Sequence, residues 1–133
     1  MTTPEIETIG VTVTFKEPLT FHLRMIGINE EEKLRQKMFG LSEDEKAEKS
    51  YQNSIDLLAS LSEEMPKGLF PNKPKDMNVL EQAKDEKTYI EDFSNPADAV
   101  RHFFQEKSVI KERVAEYAVR GYFIKLQPDV NFS

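Results

Sequence analysis

Residues 94–128 constrain the fold of this chain more than any other stretch. They read Ser-Asn-Pro-Ala-Asp-Ala-Val-Arg-His-Phe-Phe, then, from Ser108, Ser-Val-Ile-Lys-Glu-Arg-Val-Ala-Glu-Tyr-Ala-Val-Arg-Gly-Tyr-Phe-Ile-Lys-Leu-Gln-Pro. Two capped helical patterns sit almost back to back, rich in aromatics, in an otherwise polar and acidic chain. Ser94 or Asn95 caps the first, with Pro96 near the first helical position, where its missing N–H leaves no bond unmade. Val100, Phe103 and Phe104 line one face of it. Ser108 caps the second, whose stripe is Ile110, Val114, Tyr117, Ala118, Gly121 and Tyr122, and Pro128 ends it. Gly121 inside a helix is less favourable than Ala by roughly 1 kcal/mol, which predicts a neighbour packed closely against it. A chain that concentrates large apolar residues in this way builds a helical packing surface.

The N-terminal part has a different period. Ile9, Val11, Val13 and Phe15 alternate with small polar residues, Lys16-Glu17-Pro18 makes a turn, and Leu19, Phe21, Leu23 and Met25 alternate again. Period two is the mark of half-buried strands, so residues 9–26 form a β-hairpin. An isolated hairpin is marginal in water, and its apolar face must pack on the helices or on a partner. Asn29 caps a short helix that carries Glu30, Glu31 and Glu32 in its first turn and stops at Gly40. Ser42 and Glu45 make a capping box for a longer helix with Ala47, Tyr51, Ile55 (or Ser54), Leu58, Leu61 and Met65 at spacings of three and four. That helix runs until just before Pro66. Residues 66–78 hold three prolines and a glycine and form a loop, with Leu69 and Phe70 dipping into the core. Residues 79–93 (Val79, Leu80, Ala83, Tyr89, Ile90 and Phe93) are loosely periodic and give one more helix, interrupted near Lys87-Thr88. The expected fold is one domain over residues 1–133, mainly α with a short N-terminal β-hairpin (α+β), its helical part at 29–133 a bundle of four to five helices.

Composition narrows the function classes. The 133 residues suit a single domain. A net charge of −6 disfavours a phosphate-backbone partner, and the sparse Lys67, Lys73 and Lys75 do not reverse it. There is no cysteine, which removes disulfides, thiolate nucleophiles and Cys-ligated metals. No signal-peptide pattern opens the chain, and no apolar run approaches the roughly 20 residues that span a bilayer. The expectation is a cytoplasmic protein that binds neither nucleic acid nor membrane.

Sites of chemistry are hard to find. His22 and His102 lack a third ligand at metal-binding spacing. The runs Glu30–Glu32 and Glu43–Glu45 have a sufficient explanation as helix-start charges, and Glu63–Glu64 as solvated surface. No nucleophile elbow, phosphate loop, Gly-x-Gly-x-x-Gly or His-Glu-x-x-His occurs. The expectation is therefore no catalytic residue, no metal and no cofactor, and a protein that is not an enzyme. The aromatics Phe103, Phe104, Tyr117, Tyr122 and Phe123 are first of all core, with part of the stripe left for an apolar partner.

The hairpin Phe-Lys-Glu-Pro-Leu-Thr-Phe-His-Leu-Arg, the Glu-rich helix, the Pro-Lys-Gly-Leu-Phe-Pro loop and the closing Tyr-Phe-x-Lys-Leu-Gln-Pro together resemble the small tail assembly chaperones of long-tailed bacteriophages. That resemblance implies reversible shielding of apolar helical segments of the tape measure protein, or another phage tail protein, in the host cytoplasm. The residues to test as protein-binding are Phe15, Phe21 and Met25 on the hairpin and Phe103, Phe104 and Tyr122 on the terminal helices. Two other classes remain: a phage-encoded inhibitor or adaptor of the anti-defence type, and a structural tail or neck component that adds a strand to a neighbouring sheet. A homo-oligomer is compatible with each.

Overall fold

The computed structural model describes residues 7–76, 78–84 and 86–127. The side chains of Ala47, Val79 and Ala83, and the helix-ending role expected of Pro128, lie outside the described residues. The element order is β1 (Thr8–Thr14), β2 (Pro18–Arg24), α1 (Ile28–Phe39), α2 (Glu43–Leu61), β3 (Ser62–Lys67), α3 (Val79–Lys84), a 3-10 turn (Ile90–Asp92), α4 (Pro96–Phe103) and α5 (Val109–Lys125). This is an α+β protein built on a three-stranded antiparallel sheet of order β1-β2-β3.

The hairpin forms where period two requires it. β1 and β2 pair in one continuous register, with Val11 opposite Phe21 and Val13 opposite Leu19. Val11, Val13, Phe21 and Leu23 face inward and are buried, while Thr8, Thr12 and Thr14 face out. The third strand is a correction to the sequence reading. α2 stops at Leu61, and the chain passes directly into β3 instead of coiling on to Pro66. Ser62 turns extended, its hydroxyl donating to the Leu58 carbonyl, and the segment pairs with β2 through Leu23–Ser62, His22–Glu64 and Thr20–Lys67. Backbone hydrogen bonding to a waiting strand outweighs a helical pattern that only Met65 would have prolonged. Gly68 then reverses the chain at φ +89°, where a Cβ would press on the Pro18 carbonyl. Beyond it Leu69 is buried and Phe70 packs against the core, as expected.

The helices pack on one another as well as on the sheet. α5 packs on β1, α4 on β3, and α2 lies against α4, α5 and β2, which gives one helical layer on one face of the sheet. The Ser42 capping box is present: the Ser42 hydroxyl accepts from the Glu45 N–H at 3.3 Å, and the Glu45 carboxylate accepts from the Ser42 N–H at 3.4 Å. Asn95, rather than Ser94, caps α4, and Ser108 caps α5. Asn29 is no cap. α1 starts two residues earlier than such a cap would place it, behind Gly27, which has no side chain to offer, and Glu30 and Glu31 in its first turn complement the exposed N–H groups. The helix expected over 79–93 reduces to the short α3 and the 3-10 turn.

The core is aromatic at its centre. Phe21 and Phe104 stack with centroids 6.2 Å apart, and Tyr51 meets Phe104 edge-on. The Tyr51 hydroxyl donates to the Phe104 carbonyl at 2.8 Å and so ties α2 to the end of α4. Tyr122 is fully buried, and its hydroxyl donates to the Arg24 carbonyl, tying α5 to the end of β2.

Candidate protein-binding face

α5 has two unlike sides. Its cap is set by Ser108, whose hydroxyl accepts from the Lys111 N–H at 3.1 Å. Val114, Ala115, Ala118, Val119, Tyr122 and Phe123 then face the core. On the other side Ile110, Tyr117 and Ile124 stand seven residues apart, so two turns separate each from the next and all three lie along one ridge. Their exposures are 58%, 48% and 71%, large for apolar side chains. Arg113 and Arg120 alternate with them; Arg120 pairs with Glu116 at 2.8 Å.

A groove flanks this ridge on each side. One, of about 460 Å³, runs between β1 and α5 and is lined by the strand from Val11 through Phe15 and by Tyr117, Gly121 and Lys125. It is shaped by a close approach: a Cβ on Gly121 would stand 3.0 Å from Cγ1 of Val11, so the backbone of α5 comes up against the Val11 side chain of β1 here. This is the close neighbour that the helical glycine implied. The second groove, of about 340 Å³, lies between α1 and α5, lined by Arg35, Phe39, Arg120, Phe123, Ile124 and Gln127. Its floor is the edge-on pair Phe39–Phe123 at 5.5 Å. The Arg35 guanidinium sits 4.7 Å over the Phe123 ring and also pairs with Glu31 at 2.9 Å, which holds that wall in place.

The six residues singled out from the sequence separate into two groups. Phe15 and Met25 are 47% and 41% exposed at the ends of the hairpin strands, and Phe103 is half-buried against Phe70 and Phe104. Phe21, Phe104 and Tyr122 are fully buried, and this corrects their reading as partner contacts: in the folded chain they have no surface to present. Only Phe15 lines one of the two grooves beside α5. Sequence reasoning missed Phe39 and Ile124 as surface residues. Heptad spacing of Ile110, Tyr117 and Ile124 was the available signal.

Other clusters are occupied with structure. A cavity of about 660 Å³ between α2 and α4 holds Arg101, Asp98 and Tyr51. Arg101 meets Asp56 at 2.7 Å, Asp98 accepts from Asn95 at 2.8 Å, and Tyr51 is bound to Phe104. Burial pushes the Asp56 carboxyl up, but hydrogen bonds from Arg101 and Gln52 and the charges of Arg101 and Lys37 outweigh it and hold it below its ordinary value. Hydrogen bonds from Ser42 likewise hold the Glu45 carboxyl low, with the Lys49 charge adding to them. His22 lies on the outer face of β2, Nδ1 3.8 Å from Glu64, and His102 packs against the rings of Phe70 and Phe93. Among the described residues no three His, Asp or Glu side chains converge as a metal site would require, and no helix is long and apolar enough to cross a membrane.

The architecture places the chain in the α+β class, and comparison with known proteins adds no narrower assignment: no protein-family model, no curated protein and no solved structure matches it.

Proposed function

We propose that this is a non-enzymatic protein-binding protein of the phage tail assembly chaperone type. It shields apolar helical segments of a tape measure protein in the cytoplasm of the infected cell until tail subunits enclose them. The observation that carries the reading is the ridge of α5. Three large apolar side chains at heptad spacing stand in solvent between two grooves, while a well-filled core lies directly beneath. Large apolar side chains held in solvent beside such grooves, with Arg113 and Arg120 interspersed, support an interaction site. An amphipathic helix laid along α5 would seat apolar residues at i, i+3, i+4 and i+7 in the flanking grooves. The body of the protein carries a net charge of −6, which keeps such a complex in solution.

The test is co-expression with a tape measure fragment that is insoluble alone. Wild type should keep the fragment in solution, and Tyr117→Ser with Ile124→Ser should not, at unchanged far-UV circular dichroism. A fragment that stays insoluble beside wild type, or stays soluble beside the double variant, refutes the reading. Recovery of the protein in purified particles would assign it to the tail structure instead.

A further inference from the structure

The two edges of the sheet are built differently. β3 carries Pro66, Glu63 and Glu64, and its register against β2 is irregular twice. Each feature discourages a further strand, because proline cannot donate, charge resists cover and irregularity twists the edge away. β1 has none of them. It pairs with β2 over seven residues without a shift, and Thr8 to Phe15 contains neither charge nor proline.

The phase of β1 is also fixed. The Met25 N–H donates to the Glu7 carbonyl at 2.8 Å, which makes Glu7–Met25 a hydrogen-bonded pair. Alternation along an antiparallel ladder then commits the backbone groups of Ile9, Val11 and Val13 to β2 and points those of Thr8, Gly10, Thr12 and Thr14 outward. Lys125 Nζ reaches over from α5 and donates to the Gly10 carbonyl at 2.5 Å. Among the described residues no other element hydrogen-bonds the outward groups of Thr12 or Thr14. These groups open onto the groove between β1 and α5, where Lys125 is the one charged lining residue among those described.

We propose that the outer edge of β1, which no other described strand pairs, takes one extended segment of a partner protein as a fourth strand. The proposal rests on the protein-binding reading and adds a second mode of contact to it. The segment alternates apolar residues, turned toward Tyr117 and Gly121, with polar ones, and places a carboxylate against Lys125. A second copy of this chain suits the edge less well. Two β1 strands paired about a two-fold axis lie about 4.8 Å apart, and α5 packs over β1. The two α5 helices would then come side by side on one face, where helix axes need roughly 8–10 Å. A lone strand brings no helix with it.

The experiment is selection of a dodecamer peptide display library on the whole protein. Enriched peptides should alternate apolar and polar residues around an acidic one. They should bind Thr12→Pro at least about tenfold more weakly, since that change removes an outward N–H but no ladder bond. Lys125→Glu, an exposed change that tests the site even if Thr12→Pro does not fold, should weaken them similarly. Replacing the acidic residue of the peptide by Lys should restore binding to Lys125→Glu. No enrichment, undiminished binding to folded Thr12→Pro, or indifference to the charge exchange each overturns the proposal. Enriched peptides with helical spacing that are lost on Ile124→Ser would overturn the strand site yet support the protein-binding reading, which the tape measure solubility assay decides separately.

Discussion

Removing the Tyr122 hydroxyl separates the two roles of that residue. The ring fills the core, and the hydroxyl satisfies the Arg24 carbonyl. Tyr122→Phe should therefore lower stability by about 1 kcal/mol in chemical denaturation. It should also change the alkaline response. Burial pushes the phenol up to about 12, with the Arg24 charge opposing the rise and Glu30 and Glu31 adding to it. The folded-state value lies above the free phenol's, so folding favours the neutral form. That stabilisation is complete below about pH 10 and is lost as pH climbs from there through the folded-state value. Wild type should lose stability more steeply than Tyr122→Phe across this window, and parallel curves would remove the phenol from the account. Gly121 supplies a second residue-scale test. Alanine there gains roughly 1 kcal/mol of helix propensity, but its Cβ would stand 3.0 Å from Val11 Cγ1. Gly121→Ala should be distinctly more favourable in a Val11→Ala background than alone, and strict additivity in the double-mutant cycle would dismiss the close approach.

Elements are stabilised here chiefly by their ends and by what they face. Ser42→Ala removes one half of the box at the start of α2 and should cost about 1 kcal/mol, read as a lowered thermal midpoint. If the midpoint does not move, the cap is ornamental. The same kind of signal made much of the fold legible in the sequence. Ser42, Asn95 and Ser108 announce their helices by a side-chain acceptor just before an apolar run, and Val11 to Leu23 announce the hairpin by alternation. β3 announced nothing. Ser-Glu-Glu-Met-Pro-Lys has no strand propensity, and Met65 continues the stripe of α2, so only the edge of β2, distant in sequence, could show that the chain extends there. The candidate face was half legible for a related reason. Phe104 and Tyr122 were visible as large and apolar, but which side of a helix meets a sheet depends on the arrangement of every other element. Ile110, Tyr117 and Ile124 kept their period, yet exposure is a property of the assembled layer.

At the scale of the whole molecule, core and ridge are separate surfaces of one helical layer, and substitutions should sort accordingly. Phe104→Ala should lower stability by about 3–5 kcal/mol, because it empties the space between Phe21 and Tyr51. The triple change Ile110→Ser, Tyr117→Ser, Ile124→Ser should move the thermal midpoint little while abolishing partner binding, and a large loss of stability would mean that the ridge belongs to the core after all. The strand order has a consequence in time. β2 is the middle strand, yet its second neighbour comes only after two helices have been made. At roughly 5–20 residues per second of synthesis, the hairpin spends seconds one-sided, with the backbone groups of Thr20 and His22 that later meet Lys67 and Glu64 still open. Leu61 hands the chain to Ser62 without a loop, so the winding of α2 delivers the missing strand, and the last turn of a helix decides when the sheet is closed.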